Sequence, residues 1–230
     1  MTTDSDTQTK DSKRIAIVGG HGKVALQLIP ILTGRGHTVV PLARKQDQLI
    51  ELAAMGTEPR GLDIENASEA DFAAVFEGCD AVVFAAGGGP DGNIERKRTV
   101  DLEGSTKSIA GAKKAGISRL VQVSAIGVDN ELPDDVEPVW KAYVEAKRDA
   151  DAALRESGLD WTIIRPGGLT DEPASGRITI GPEVERGQIS RADVAHVLAD
   201  CLDRPETAGA QWEVVGGETP IPMALEGAVR

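Results

Sequence analysis

The chain is poor in the residues that most often declare a site. Among 230 residues there are two cysteines, three histidines, three tryptophans, three phenylalanines and one tyrosine. Cys79 and Cys201 each fall within an apolar pattern, so they read as buried thiols of a reducing compartment, and neither a disulfide framework nor a metal site is expected. His21, His37 and His196 have no ligand spacing. No apolar run approaches the roughly 20 residues that a membrane span requires. Positive charge is in short supply as well: 25 Lys and Arg against 37 Asp and Glu give a net charge of −12. A field of that sign repels phosphate polymers and argues against nucleic acid or an anionic membrane as partner. Met1 to Lys13 is polar and has no apolar core of a signal peptide, so it reads as a disordered tail, and a cytoplasmic protein is expected.

What is present begins at Arg14. Ile15-Ala16-Ile17-Val18 reads as a buried central strand, Gly19-Gly20-His21-Gly22 as a tight turn, and Val24, Leu26, Leu28, Ile31 and Leu32 as the apolar face of a helix. Pro30 is expected to kink or shorten that helix. Strand, glycine turn and helix come in the order that a dinucleotide pocket requires, though an ordinary α/β protein can carry such a turn: glycines permit the turn and a close approach of backbone amides to a pyrophosphate, which faces the helix N-terminus. Two registers fit, Gly20-x-Gly22-x-x-Ala25 and Gly19-x-x-Gly22-x-x-Ala25. The second ends the strand at Val18 and is adopted here, with Gly19, Gly20, His21, Gly22, Lys23 and Val24 as the phosphate-facing stretch.

The next strand, His37 to Leu42, ends in Ala43-Arg44-Lys45. An acid is expected there when a ribose 2′-hydroxyl is to be bound, so two cations point instead to a 2′-phosphate, hence NADP rather than NAD, the alternative being that Arg44 and Lys45 belong to a solvated loop. A helix over Gln46 to Met55 and a short strand over Arg60 to Ile64 follow; Asp63, beside Ile64, either meets an adenine amino group or caps the next segment. Ala81 to Ala85 is a strand followed by the small-residue loop Ala86-Gly87-Gly88-Gly89-Pro90, which leaves room for a flat ligand. Ile94 to Ala115 reads as one long helix with Val100, Ile109 and Ala112 inward and Arg96-Lys97-Arg98 as a solvated face.

Leu120 to Ser124 is a strand whose last hydroxyl enters the crevice at the carboxyl ends. Trp140 to Ser157 is a helix carrying Tyr143 and Lys147 four apart, on one face. An ammonium beside a phenol favours the phenolate and lowers the Tyr143 pKa toward neutrality, where it trades protons with a carbonyl oxygen. Leu159 to Arg165 is a further strand, ended by Pro166-Gly167-Gly168, whose backbone is placed to hold a carboxamide. Arg177 to Gly181 reads as a short strand outside the main sheet, Ser190 as the cap of a helix over Arg191 to Leu202, and Ala210 to Val215 as a last strand. The expected architecture is α/β, a Rossmann-like doubly wound parallel sheet with a small C-terminal substrate lobe. Residues 14–230 would form one domain, with 127–139 and 169–189 over the site. An apolar helix face would serve a homodimer or the core equally.

These segments together resemble the short-chain dehydrogenase/reductase superfamily in its atypical, NAD(P)H-binding (NmrA-like) branch. The resemblance covers most of Ile15 to Gly217 and rests on Val18 to Ala25, Val123-Ser124-Ala125-Ile126-Gly127, Tyr143-Val144-Glu145-Ala146-Lys147, Thr162 to Gly167 and Ile189 to Ala195; Ala25 departs from the usual third glycine. It implies NADP in the crevice, bordered also by Ala85, Ala86 and Gly87, with Ser124 polarising a substrate carbonyl, Tyr143 as general acid and Lys147 holding the nicotinamide ribose. The function expected is hydride transfer between NADPH and the carbonyl or alcohol of a small organic molecule. A non-catalytic NADP sensor acting on a protein partner, and a flavin-type reductase without use of Tyr143, are the alternatives.

Overall fold

A computed structural model describes residues 12–89 and 92–230. Most of the expected tail, and Pro90 at the end of the small-residue loop, lie outside the described residues. The main sheet has nine strands. Its first half follows from β1 (Arg14–Val18), which pairs in parallel with β2 (Thr38–Ala43) on one side and β4 (Ala81–Phe84) on the other. β3 (Arg60–Gly61) extends it beyond β2, while β5 (Arg119–Val123), β6 (Asp160–Pro166) and β10 (Ala210–Gly216) extend it beyond β4. The chain order reverses between β1 and β4, and in sheets of this kind ligands enter at that reversal.

Alternation along β1 builds the two layers. Ile15 and Ile17 face a core shared with α1 (Lys23–Gly34), α7 (Arg191–Asp203) and α8 (Ile221–Val229), while Ala16 and Val18 face one shared with Phe72, Phe76, Ile109 and Leu154. The latter side chains come from α3 (Glu69–Phe76), α5 (Glu103–Lys114) and α6 (Pro138–Arg155). Each such side chain removed from water contributes about 1.5–3 kcal/mol. Serine caps the starts of α3 and α7, and of these the cap at Ser190 is the one expected from the sequence. The Ser68 hydroxyl accepts from the Asp71 amide in a reciprocal box, and the Ser190 hydroxyl accepts from the Asp193 amide.

Three expectations are corrected. Pro30 does not shorten α1, which runs on to Gly34; the missing hydrogen bond falls on the exposed face, while Leu28, Ile29 and Leu32 are buried and hold the turns together. β8 (Arg177–Gly181) is not outside the main sheet. It pairs antiparallel with β10, Val214 opposite Ile180, and buries Ile178, so the lobe expected over 169–189 is interrupted by a sheet strand. A separate two-stranded sheet, β7 (Gly168–Thr170) with β9 (Gln188–Ser190), flanks that strand in sequence. The run from Ile94 is not a single α-helix either: Ile94–Arg96 continues into a π-helical Lys97–Leu102 before α5.

Both cysteines are free and buried. Burial pushes the Cys201 thiol up to about 12. Native protein should therefore leave Cys201 unlabelled by a neutral-pH disulfide reagent, with labelling appearing only as denaturant unfolds the chain. Labelling of Cys201 in native conditions would contradict its place on the buried face of α7.

Candidate active site

Pairing register assembles the site. Val18 lies opposite both Leu42 and Phe84, and Phe84 opposite Gln122, so the loops after β1, β2, β4 and β5 leave the sheet at one level. The first of these loops is shaped by close approach. Gly19 has φ +79°, and a Cβ there would come within 2.7 Å of the Ala86 backbone. Any other residue at this position would be strained and would collide with the neighbouring loop. Gly20 is packed against Pro41, and its amide donates to the Leu42 carbonyl at 2.9 Å. It therefore fixes β1 against β2, and its amide is not open to a phosphate. Gly22 caps α1 without a side-chain hydrogen bond, and among the described residues no backbone acceptor meets the amides of Lys23 and Val24. Uncapped first-turn amides above a glycine turn suit an anion such as a pyrophosphate.

Two cavities meet along Ala85, Ala86 and Gly87. The smaller, about 260 Å³, is lined by Gly19, His21, Gly22, Arg44, Lys45, Asp63, Ile64 and, from further along the chain, Glu65 and Arg96. Arg44 lies 3.6 Å from Glu65 and 3.9 Å from Asp63, and Arg96 lies 3.7 Å from the same Glu65. Asp63 accepts from the Glu65 amide at 3.2 Å and from Asn66 at 2.9 Å, so it does serve as the cap of the following turn. Burial works to raise its pKa, but these bonds and the Arg44 charge carry it below the usual carboxylate range. Lys23 does not join either of these cavities: its ammonium pairs with Asp171 at 2.7 Å.

The larger cavity, about 1000 Å³, brings together Val24, Ser124, Tyr143, Lys147, Pro166, Gly167 and Gly168 from four separate segments. Apolar walls come from Ile126, Val139, Trp140 and Leu169. Of the segments expected above the site, 127–139 contributes Glu137 and Val139. Glu213 on β10 ties two bordering loops together, accepting from the Gly127 amide at 2.8 Å and the Val184 amide at 3.1 Å.

Beneath this cavity lies a buried polar layer that the sequence reading missed. Asp101 is fully buried, accepts from the Gly88 amide at 2.8 Å, and stands 3.2 Å from the Lys147 ammonium, which also donates to the Val123 carbonyl at 3.2 Å. A Cβ on Gly88 would come within 3.1 Å of the Asp101 carboxylate, so glycine there lets loop and acid meet. Asp151 accepts from Ser124 at 2.8 Å, Gln122 at 2.8 Å and Arg165 at 2.9 Å. The π-helical turn is the device that turns Lys97, Val100 and Asp101 inward together, in keeping with the frequency of such turns at functional sites. Spacing held a signal for one of these acids: Tyr143, Lys147 and Asp151 recur every four residues, so an acid occupies a stripe that Val144, Ala150 and Leu154 make apolar. Asp101, beside inward Val100, offered a weaker form of the same sign.

The layer overturns the expected depression of the Tyr143 pKa. Burial pushes the phenol up; Lys147 pulls it down, but Asp101 and Asp151 push it up again. Lys147 is itself held above its ordinary value, burial opposing and Asp101 prevailing. Its charge is matched by its own counterion, and the Tyr143 ring, 5.3 Å from that of Trp140, is a neutral phenol at physiological pH. Ser124 reaches the cavity with its hydroxyl hydrogen donated to Asp151, so toward a ligand it presents an acceptor.

A mainly parallel sheet reversed between β1 and β4, a glycine turn with positive φ and an uncapped helix start form the crevice of a dinucleotide-binding α/β protein. Residues 19–205 match the model of the NAD(P)H-binding family. The chain belongs to that family. A Bacillus subtilis protein described as an uncharacterized sugar epimerase, YhfK, is 36 % identical over 93 % of this chain and 99 % of its own length. The structure of a Bacillus halodurans protein, described as a candidate NAD-dependent epimerase/dehydratase, is 37 % identical, covers 94 % of this chain and 100 % of its own, and superposes with a TM-score of 0.86. The oxidoreductase YlbE of Lactococcus lactis is 28 % identical over 93 % of this chain and 95 % of its own, with a TM-score of 0.80.

Proposed function

We propose that the protein is an NADP-dependent reductase of a carbonyl group on a small organic molecule. The observation that carries the reading is Tyr143, a neutral phenol lining a partly apolar cavity that continues into the dinucleotide crevice. A nicotinamide dinucleotide supplies hydride when bound. Around it the chain's residues have separable tasks. The first-turn amides of Lys23 and Val24 meet the pyrophosphate, Arg44 and Lys45 the 2′-phosphate, Pro166, Gly167 and Gly168 the carboxamide, and Lys147 the adjoining ribose. Tyr143 donates a hydrogen bond to the carbonyl oxygen, stabilising its developing charge, and gives up the phenolic proton as the carbon takes hydride. The products are the alcohol and oxidised coenzyme, and the phenol recovers its proton from water.

The assay is NADPH absorbance against a panel of aldehydes, ketones, quinones and flavins. Turnover of an aldehyde or ketone is expected, whereas consumption with flavins alone would favour the flavin reading and remove Tyr143 from the chemistry. Sugar epimerisation, the activity in the B. subtilis relative's description, would leave coenzyme absorbance unchanged while isomerising the sugar. Arg44→Ala is expected to weaken NADPH about tenfold or more and to change NADH affinity by less than about twofold, since only the former carries the extra phosphate. Equal losses for both coenzymes would remove Arg44 from their discrimination.

A further inference from the structure

Lys97 has no part in the chemistry assigned above, yet it is among the most deeply placed charges of the large cavity. It is 5 % exposed and lines the wall beside Tyr143, its ammonium 5.9 Å from the ring centroid, as near as that of Lys147 at 6.0 Å. The two lysines differ in company. Lys147 has Asp101 as counterion, whereas Lys97 donates only to the Gly89 carbonyl, and among the described residues no carboxylate pairs with it. A buried ammonium held by a neutral carbonyl and a ring pays a desolvation cost that an anion would relieve. With 37 acids in the chain, the missing partner does not reflect a shortage of acids. Among the described residues, the acids lining the cavity are Asp101, already paired, and Glu137 at its exposed edge. A further cation, Arg186, lines the same cavity and is packed over Gly127, where a Cβ would come within 2.9 Å of its guanidinium.

We propose that the substrate carries an anionic group, a carboxylate or a phosphate, which Lys97 holds while the carbonyl meets Tyr143 and an apolar body lies against Trp140. This rests on the reductase reading and adds the substrate's charge to it. The test compares benzaldehyde, 4-carboxybenzaldehyde and 4-formylphenyl phosphate with NADPH, in the native protein, Lys97→Gln and Lys97→Arg. The native protein should prefer at least one anionic aldehyde over benzaldehyde by about tenfold or more in kcat/KM, mainly through KM. Lys97→Gln should reduce that preference to within about threefold, and Lys97→Arg should restore part of it. Whichever anion is preferred identifies the headgroup. No preference in the native protein, or one that survives in Lys97→Gln, overturns the proposal. If none of the three is reduced, calorimetry of benzoate and phenyl phosphate binding to the NADP-saturated protein decides separately: binding lost in Lys97→Gln upholds the anion site, and no binding to the native protein removes it.

Discussion

Replacing Tyr143 by phenylalanine should lower kcat/KM for carbonyl reduction by about 100-fold or more, while the NADPH dissociation constant moves by less than about twofold. The substitution removes one oxygen and leaves the ring against Trp140, so packing is retained and the lost term is the proton and hydrogen bond offered to the carbonyl oxygen. The loss should appear in kcat as well as in kcat/KM, because the bond strengthens as charge develops. Because the phenol's pKa is raised, the native enzyme should hold its reductase activity through neutral pH and lose it only on the alkaline side, as the acid deprotonates. Reduction proceeding at the native rate in the variant would end the acid role. Flavin reduction, or a coenzyme-dependent effect on a partner protein, would by contrast survive it.

Asp101→Asn should have two effects of different origin. Asparagine can still accept from the Gly88 amide, but it leaves the Lys147 ammonium buried beside a neutral group. Breaking such a pair costs about 3–5 kcal/mol, enough to lower the melting temperature of a chain this size by roughly 6–20 °C. The second effect concerns Tyr143. In the native protein burial comes first in raising the phenol, and Asp101 adds to it; without that negative charge, any Lys147 that remains protonated favours the phenolate more strongly. The alkaline limb of the reduction profile should therefore move to lower pH. A lower melting temperature with an unmoved limb would make Asp101 a structural support alone.

How much of this was legible in the sequence depends on the range over which each feature is encoded. The β1 strand, the glycine turn and α1 are contiguous, and apolar period and glycine spacing give them, as the serine ahead of an apolar helical run gives the cap at Ser190. The convergence of Ser124, Tyr143, Lys147 and Pro166 to Gly168 on one cavity follows from parallel strands of matched register. The polar layer was not legible in the same way. Asp151 carries only its four-residue spacing from Tyr143 and Lys147, while Asp101 and Lys97 each look like one charge among 62, and their meaning comes from burial by segments far away in the chain. Lys97 in particular is indistinguishable from Arg96 and Arg98 until a π-helical turn puts it inside and leaves the other two less covered. β8 was misplaced for a similar reason, since its pairing depends on β10, about thirty residues further on.

The capture of a nicotinamide dinucleotide by backbone amides, in a chain whose net charge opposes anions, underlies every role assigned here. Isothermal titration calorimetry of the purified protein with NADPH and with NADH tests it most directly. The account predicts saturable one-to-one binding, with NADPH tighter than NADH by about tenfold or more. Absence of saturable binding for both coenzymes would contradict it.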